Sequence, residues 1–299
     1  MVDMKALKRA VLPPWLRYFA KSWRAHRKLN SIVREHGLPP LEANPLLPRK
    51  HSDTLFILGS GASVLSYTPE QWDIISRHDT LGFDYWALHS FTPTYFVLEL
   101  AKIDWHLECM VQNFAARPEY FKNAQVFLKD VDRHDLTTIR QYIHILRRYV
   151  GSLELLWDAE IPVNTVNEFE GALVWLDRLG CFSNNHSWAV PRNRASLFLL
   201  VNLAARAGYK DIVLCGVDLN NTDYFFRSPS YLPPANGICI PPVYQSGRVH
   251  KTNDPQYGQM TIAALLDTFD RVVLQPRGIT LSVAKSSSAL YPRFPAYFG

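Results

Sequence analysis

Two short apolar runs, each ending in glycine, constrain this chain more than any other feature. Thr54-Leu55-Phe56-Ile57-Leu58 leads into Gly59-Ser60-Gly61, and Ile212-Val213-Leu214-Cys215 leads into Gly216-Val217-Asp218. A continuous apolar run without polar alternation predicts a strand covered on both faces, which is the condition of a parallel sheet layered by helices. A glycine directly after such a strand lets the backbone turn sharply and come close to a neighbour or a ligand. Strands and helices alternate around these runs. A helix is predicted over Thr68 to Ser76, with Pro69 in its first turn, and strands over Asp79 to Phe83 and Thr94 to Leu98. Residues 104–149 read as mainly helical, with a strand over Ala124 to Leu128. A helix runs from Ser196 to Ala207 and stops at Gly208. A last helix spans Gln256 to Thr268, before a strand at Val272 to Leu274. The pattern predicts an α/β fold with a Rossmann-like, mostly parallel, doubly wound sheet.

The remaining organisation is read from charge and proline. Residues 1–50 hold eleven Lys and Arg against three Asp and Glu. The net charge of +5 therefore leaves −3 for the rest of the chain, and the basic surplus says nothing about its chemistry. Residues 15–36 predict a helix in which Trp15, Tyr18, Phe19 and Trp23 interleave with Arg17, Lys21, Arg24 and Arg27. Two readings stand: peripheral contact with an anionic membrane, or packing on the protein body or on a second subunit through the aromatics. Proline-rich residues 38–48 read as a linker. The expected division is 1–50 as extension and linker, and 51–299 as one catalytic domain with a lid at about 225–249, a Pro- and Gly-rich stretch without periodicity. No apolar run approaches the ~20 residues that cross a bilayer, and no signal peptide is evident, so the expected place is the cytoplasm. Cys109, Cys181, Cys215 and Cys239 form no C-x-x-C pair and are expected as reduced, buried thiols.

Three places can carry chemistry. In Gly59-Ser60-Gly61-Ala62-Ser63, free amides and the hydroxyls of Ser60 and Ser63 are suited to phosphate oxygens. The loop lacks the third glycine of a dinucleotide fingerprint and the Gly-Lys-Ser/Thr of a P-loop, and a purely structural tight turn is the competing reading. Gly216 and Asp218 stand at the carboxyl end of the second strong strand, where open parallel sheets bind ligands. Asp218 either contacts a ligand or fixes a loop by accepting backbone hydrogen bonds. Tyr224 follows, either a donor to a leaving phosphate or a core aromatic. His250 lies in the polar stretch Gly247 to Asp254, before the last helix. An imidazole there can take a proton from a hydroxyl nucleophile near neutral pH. No metal motif and no G-x-S-x-G elbow is present.

In order, these elements resemble the bacterial sialyltransferases of glycosyltransferase family 42 and their relatives. The likeness lies in Gly59-Ser60-Gly61-Ala62-Ser63, in Gly208-Tyr209-Lys210-Asp211-Ile212-Val213-Leu214-Cys215-Gly216-Val217-Asp218, which is the most specific part, and in His250; it covers roughly residues 54–298. The resemblance implies a GT-A-like variant of the Rossmann sheet with a mobile lid. It implies inverting transfer of sialic acid or a Kdo-like ulosonic acid from a CMP-activated donor to a glycan or glycolipid hydroxyl, in lipopolysaccharide or capsule synthesis at the inner face of a bacterial membrane. No metal or other cofactor is implied, and no nucleic acid; a homo-oligomer is compatible. By position, His250 is the base and Tyr224 steadies the phosphate. Ser60 and Ser63 surround the nucleotide and Ser196 touches the donor sugar. The second phosphate-side tyrosine falls on Asn220, with Tyr231 or Tyr244 as substitutes, and two donor-site asparagines fall on Asp84 and Glu99. A pyrophosphokinase-like or other nucleotide-dependent transferase of related fold, and a non-catalytic nucleotide-binding protein, stand as alternatives.

Overall fold

A computed structural model describes residues 12–100, 104–183, 187–242, 249–257 and 260–299. In chain order its main elements are α1 (Pro14–His36), β1 (Thr54–Leu58), α2 (Pro69–Ser76), β2 (Asp79–Phe83), β3 (Tyr95–Glu99), α3 (Asp104–Ala116), α4 (Pro118–Asn123), β4 (Gln125–Lys129), α5 (Leu136–Leu146) and β5 (Ser152–Leu155). They continue with β6 (Asp158–Glu160), α6 (Val166–Arg178), β7 (Val190–Arg192), α7 (Ser196–Arg206), β8 (Asp211–Cys215), α8 (Ile262–Phe269) and β9 (Thr280–Val283). Seven strands form one sheet in the order β5-β4-β3-β2-β1-β8-β9, all parallel, and β6 and β7 form a small parallel pair.

The chain winds outward one way from β1 to β5 and returns to place β8 on the other side of β1. The strand order therefore reverses between β1 and β8, where Leu58 lies opposite Cys215. Such a reversal leaves a crevice at the carboxyl ends of the strands. All five residues of β1 are buried, as its unbroken apolar run requires. Helix α7 is buried on every side, which explains why Leu197 to Ala205 shows no polar face beyond Asn202. Asn202 Nδ2 donates to the Pro191 carbonyl, and the Arg206 Nη atoms donate to those of Ala189 and Trp188, on and beside β7. Helix α2 begins with a capping box: Thr68 Oγ1 accepts from the Gln71 amide while the Gln71 side chain accepts from the Thr68 amide.

Helix α1 shares the core of the sheet. Tyr18, Leu29 and Ile32 are fully buried, Trp15 stacks on Trp175 at 5.5 Å, and Phe19 meets Trp188 edge-on at 4.7 Å. Burying a leucine stabilises by about 1.5–3 kcal/mol, so these contacts hold α1 firmly to α6 and β6. Of the aromatics set out above, Trp23 is the exposed one. No helix among the described residues is long and apolar enough to cross a membrane.

Three expectations are corrected. Val272 to Leu274 is not a strand; it lies in a π-turn, Asp270–Leu274, that prolongs α8, and the last strand is Thr280–Val283. The last helix begins at Ile262, capped by Thr261, and Pro255–Tyr257 is a separate 3₁₀ turn. Cys109 and Cys239 are not free thiols but form a disulfide, while Cys181 and Cys215 are free and buried. That bond and Asn113, which pairs with both the amide and the carbonyl of Cys239, pin the expected lid to α3. Residues 243–248, with Tyr244, lie outside the described residues.

Candidate active site

A cleft of about 710 Å³ opens over the carboxyl ends of β1, β2, β3, β4, β7 and β8. That volume suits a small-molecule ligand. The four described non-glycine residues with positive φ, Asp84 (49°), Asp130 (60°), Arg194 (53°) and Leu219 (62°), all line it. Left-handed backbone at a non-glycine residue costs of order 1–3 kcal/mol and collects where a site needs it.

At the β1–β8 reversal the two glycine turns grip each other. Gly59 N donates to Cys215 O and Gly61 N to Gly216 O, both at 2.8 Å, and Gly61 pairs with Tyr224 in an antiparallel bridge. A Cβ on Gly61 would stand 2.5 Å from Asp218 Oδ2, so only glycine fits there. Ala62 N donates to Asp223 O at 3.1 Å, and Ser63 N to Asp218 Oδ2 at 3.0 Å. The amides of Gly59, Gly61, Ala62 and Ser63 are therefore spent inside the protein, which corrects the expectation of free amides at those four positions. The loop works by close approach instead. Asp218 takes the loop-fixing role, and Ser63 does not line the cleft. Gly59, Ser60, Gly61, Gly216 and Asp218 do line it.

His250 and Tyr224 meet across the mouth. Tyr224 Oη is 3.3 Å from His250 Nε2, and His250 Nδ1 is 2.8 Å from Thr252 Oγ1. The Thr252 amide also donates toward Nδ1 at 3.4 Å, and in the tautomer protonated on Nδ1, which donates to Thr252 Oγ1, the Nε2 lone pair faces Tyr224 and the cleft. Burial, aided by the Lys251 charge, holds the imidazole below its ordinary value, so it is neutral at pH 7 and fit to accept a proton. Burial raises the Tyr224 phenol, which stays protonated as a donor. The loop carrying His250 is fixed from two sides. Its amide donates to Leu219 O at 3.2 Å, and the Arg194 guanidinium donates to the carbonyls of Lys251 (3.0 Å), Thr252 (3.1 Å) and Asp254 (3.4 Å).

The opposite end is charged. Lys129, buried at the end of β4, donates from Nζ to Glu99 Oε2 at 2.6 Å and to Asp130 Oδ2 at 2.5 Å. Arg192 on β7 reaches Asp130 Oδ1 at 2.7 Å and Asp158 Oδ2 at 2.5 Å. Burial alone would lower Lys129, but Asp130, Glu99 and Asp84 outweigh it and hold the ammonium above its usual value. Burial and then the Glu99 charge push the Asp84 carboxyl up to about 7, against the pull of Lys129. Ser196, at the start of α7, places Oγ 3.4 Å from Glu99 Oε2. Asp84, Glu99 and Ser196 thus line the cleft.

Asn220 does not. Its Nδ2 donates to Ser287 O at 2.9 Å, away from the cleft that its neighbour Asn221 lines. Tyr231 does not replace it, because its phenol donates to Leu88 O at 2.7 Å. Lys129, Arg192, Arg194 and Tyr85 are the residues that sequence reasoning missed. Lys129-Asp130 at a strand end and Arg192-Asn193-Arg194 before a helix were the available signals. Among the described residues no three His, Cys, Asp or Glu side chains converge as metal ligands would.

No protein-family model and no curated protein matches the sequence. Among solved structures, the chain is similar to the monofunctional alpha-2,3-sialyltransferase Cst-I from Campylobacter jejuni (13% identity, 82% of this chain and 80% of that one, TM-score 0.44). It is also similar to the sialyltransferase CstII from Campylobacter jejuni in complex with the substrate analogue cytidine-5′-monophosphate (11%, 83% and 86%, TM-score 0.43). A third is an apo alpha-2,3-sialyltransferase from the same organism (14%, 86% and 84%, TM-score 0.42). Identities and TM-scores this low leave the chemistry to be read from the cleft itself.

Proposed function

We propose that the chain is an inverting glycosyltransferase that moves a sugar from a CMP-activated donor to a hydroxyl of a glycan acceptor. The observation that carries this reading is the pairing of a neutral, half-buried His250 with the Tyr224 phenol at the mouth of a cleft over the β1–β8 reversal. In the proposed step the acceptor oxygen attacks the anomeric carbon and its proton passes to His250 Nε2. The bond from that carbon to the phosphate oxygen breaks, and CMP leaves with the electron pair. Charge growing on the phosphate is met by neutral donors, the Tyr224 phenol and the Ser60 hydroxyl, so the reading calls for no metal. Both groups line the cleft.

CMP as the nucleotide, and sialic acid or a Kdo-like acid as the sugar, are what the family resemblance implies. A glycolipid acceptor, a place at the inner membrane and contact of residues 15–36 with anionic lipid belong to the same proposal. Incubation with CMP-linked sugars and an acceptor, following CMP release, tests the reaction. Release that depends on acceptor supports it. Magnesium-dependent ATP consumption without CMP release selects the pyrophosphokinase-like alternative, and nucleotide binding without turnover selects a binding protein.

A further inference from the structure

The segment from Tyr224 to Cys239 joins the cleft to α3. At its start Tyr224 bridges to Gly61, and its ring meets Tyr85 edge-on at 5.7 Å. Phe225 packs on Trp86 at 5.9 Å. Tyr231 packs on Phe225 at 5.6 Å and donates from its phenol to Leu88 O at 2.7 Å. At the far end Cys239 is bonded to Cys109 of α3. Asn113, one turn further along that helix, donates to the Cys239 carbonyl at 3.0 Å and accepts from its amide at 2.7 Å. No helix or strand forms from Ser228 to Cys239, so the segment is held by such side-chain ties rather than by a backbone ladder.

Two features mark the Cys109–Cys239 bond as reversible. The partners differ in setting: Cys109 is 5% exposed on its helix, whereas Cys239 is half-buried between the exposed Gly237 and Ile240. A small thiol can therefore reach the Cys239 sulfur. Asn113 also holds the Cys239 backbone without help from the sulfurs. With the two Cα atoms 5.2 Å apart, the thiols of the reduced chain stay within bonding range, and closure is intramolecular. Cys181 and Cys215 do not compete, since burial pushes both thiols up to about 12 and keeps them protonated.

Resting on the glycosyltransferase reading and adding a control to its site, we propose that Cys109–Cys239 is a redox modification site, a reversible tether that holds the Tyr224 segment in its working position. A low-molecular-weight disulfide of the glutathione class closes it, and the corresponding thiol opens it. In closure the Cys239 thiol loses its proton to water, and the thiolate attacks one sulfur of the oxidant and expels a thiolate. The Cys109 thiolate, its proton likewise lost, attacks the Cys239 sulfur of the mixed disulfide and expels the second. Each expelled thiolate takes up a proton, so the protein loses two electrons and the oxidant gains them. In a reducing compartment, which a place at the inner membrane face implies, disulfides are transient and serve catalysis or redox sensing.

The test equilibrates the full chain in buffers of graded reduced-to-oxidised glutathione ratio, then alkylates free thiols and maps the peptides. At the oxidising end the Cys109–Cys239 peptide pair should be linked with Cys181 and Cys215 free, and at the reducing end all four should be free. Chymotryptic cleavage after Tyr231 should run at least about fivefold faster in the reduced chain. Acceptor-dependent CMP release should fall about threefold to tenfold on reduction as the Tyr224 donor loses its fixed position. Cys239→Ser should match the reduced wild type at every ratio, and the wild-type comparison needs no variant to fold. A pair that never links, a bond that stays closed at the reducing end, or cleavage and release alike in both states would each overturn the proposal. The glycosyltransferase reading fails separately: no CMP release in either state sinks that reading, while linkage and cleavage still decide the tether.

Discussion

The phenol oxygen of Tyr224 lies 3.3 Å from Nε2 of His250, and the two side chains reach each other from segments 26 residues apart. The phenol is held protonated and the imidazole neutral, each by burial. Such a pair offers a hydrogen-bond donor to a leaving group beside a lone pair for an incoming hydroxyl. Tyr224→Phe removes the donor without changing shape. Steady-state kinetics should show turnover down about a hundredfold with the donor KM moved far less, the pattern of an interaction made mainly in the transition state.

The acid limb of the kcat/KM profile should lie below pH 6.5, the ordinary histidine value. The sign follows from the state required: His250 acts only as the neutral base, so activity falls as pH drops through its lowered value and the imidazole becomes cationic. Lys251 contributes to that lowering, second to burial. Lys251→Gln should therefore move the limb upward, by about half a pH unit for one solvent-screened charge a few ångströms away. A downward move would contradict the assignment.

Arg194 fastens the loop that carries His250 through contacts to the carbonyls of Lys251, Thr252 and Asp254. Arg194→Ala should lower kcat about tenfold while CMP affinity, read by calorimetry, stays near wild type. Arg194→Lys should remain low, because a single ammonium does not span three carbonyls as a planar fork does.

Much of this arrangement is legible in the chain. The unbroken apolar runs of β1 and β8 announce a buried parallel pair, and the glycines after them mark the reversal where the cleft opens. The small β6–β7 pair and β5 are not legible. Glu154 and Asp158 sit buried within them, and their partners Arg49 and Arg192 are 105 and 34 residues away. Polar residues whose partners are so remote read as loop. Val272-Val273-Leu274 misled in the opposite sense, since its β-branched run is held in a wound turn by packing on α6 and β9. Lys129 was invisible for the same reason as Asp158: a lysine closing a strand reads as solvated until Glu99 and Asp130 are seen around it. The glycine loop is legible as a tight turn after β1, but its bonding is not: the amides of Gly59, Gly61, Ala62 and Ser63 are spent on Cys215, Gly216, Asp223 and Asp218 in the fold.

Two glycine substitutions separate that steric role from general backbone effects. Gly61→Ala would drive a Cβ against Asp218 and the Gly216 carbonyl, and CMP affinity should fall more than about tenfold as the two turns part. Gly171 sits in α6, and a methyl group added there would meet nothing within 4 Å. Gly171→Ala should leave CMP binding unchanged and raise stability by about 0.5–1 kcal/mol, read from urea unfolding.

Leu29 is 1% exposed in the interface between α1 and the body. Leu29→Ala should cost about 2–5 kcal/mol in the same unfolding experiment. A cost near zero would mean that α1 does not belong to the cooperative fold.

The central assignment is His250 as the base. The decisive measurement is acceptor-dependent CMP release by His250→Ala at neutral pH, with CMP binding measured alongside. Turnover should fall by about a hundredfold to ten-thousandfold while CMP binds as in the wild type. Release at the wild-type rate from a variant that still binds CMP would contradict the mechanism.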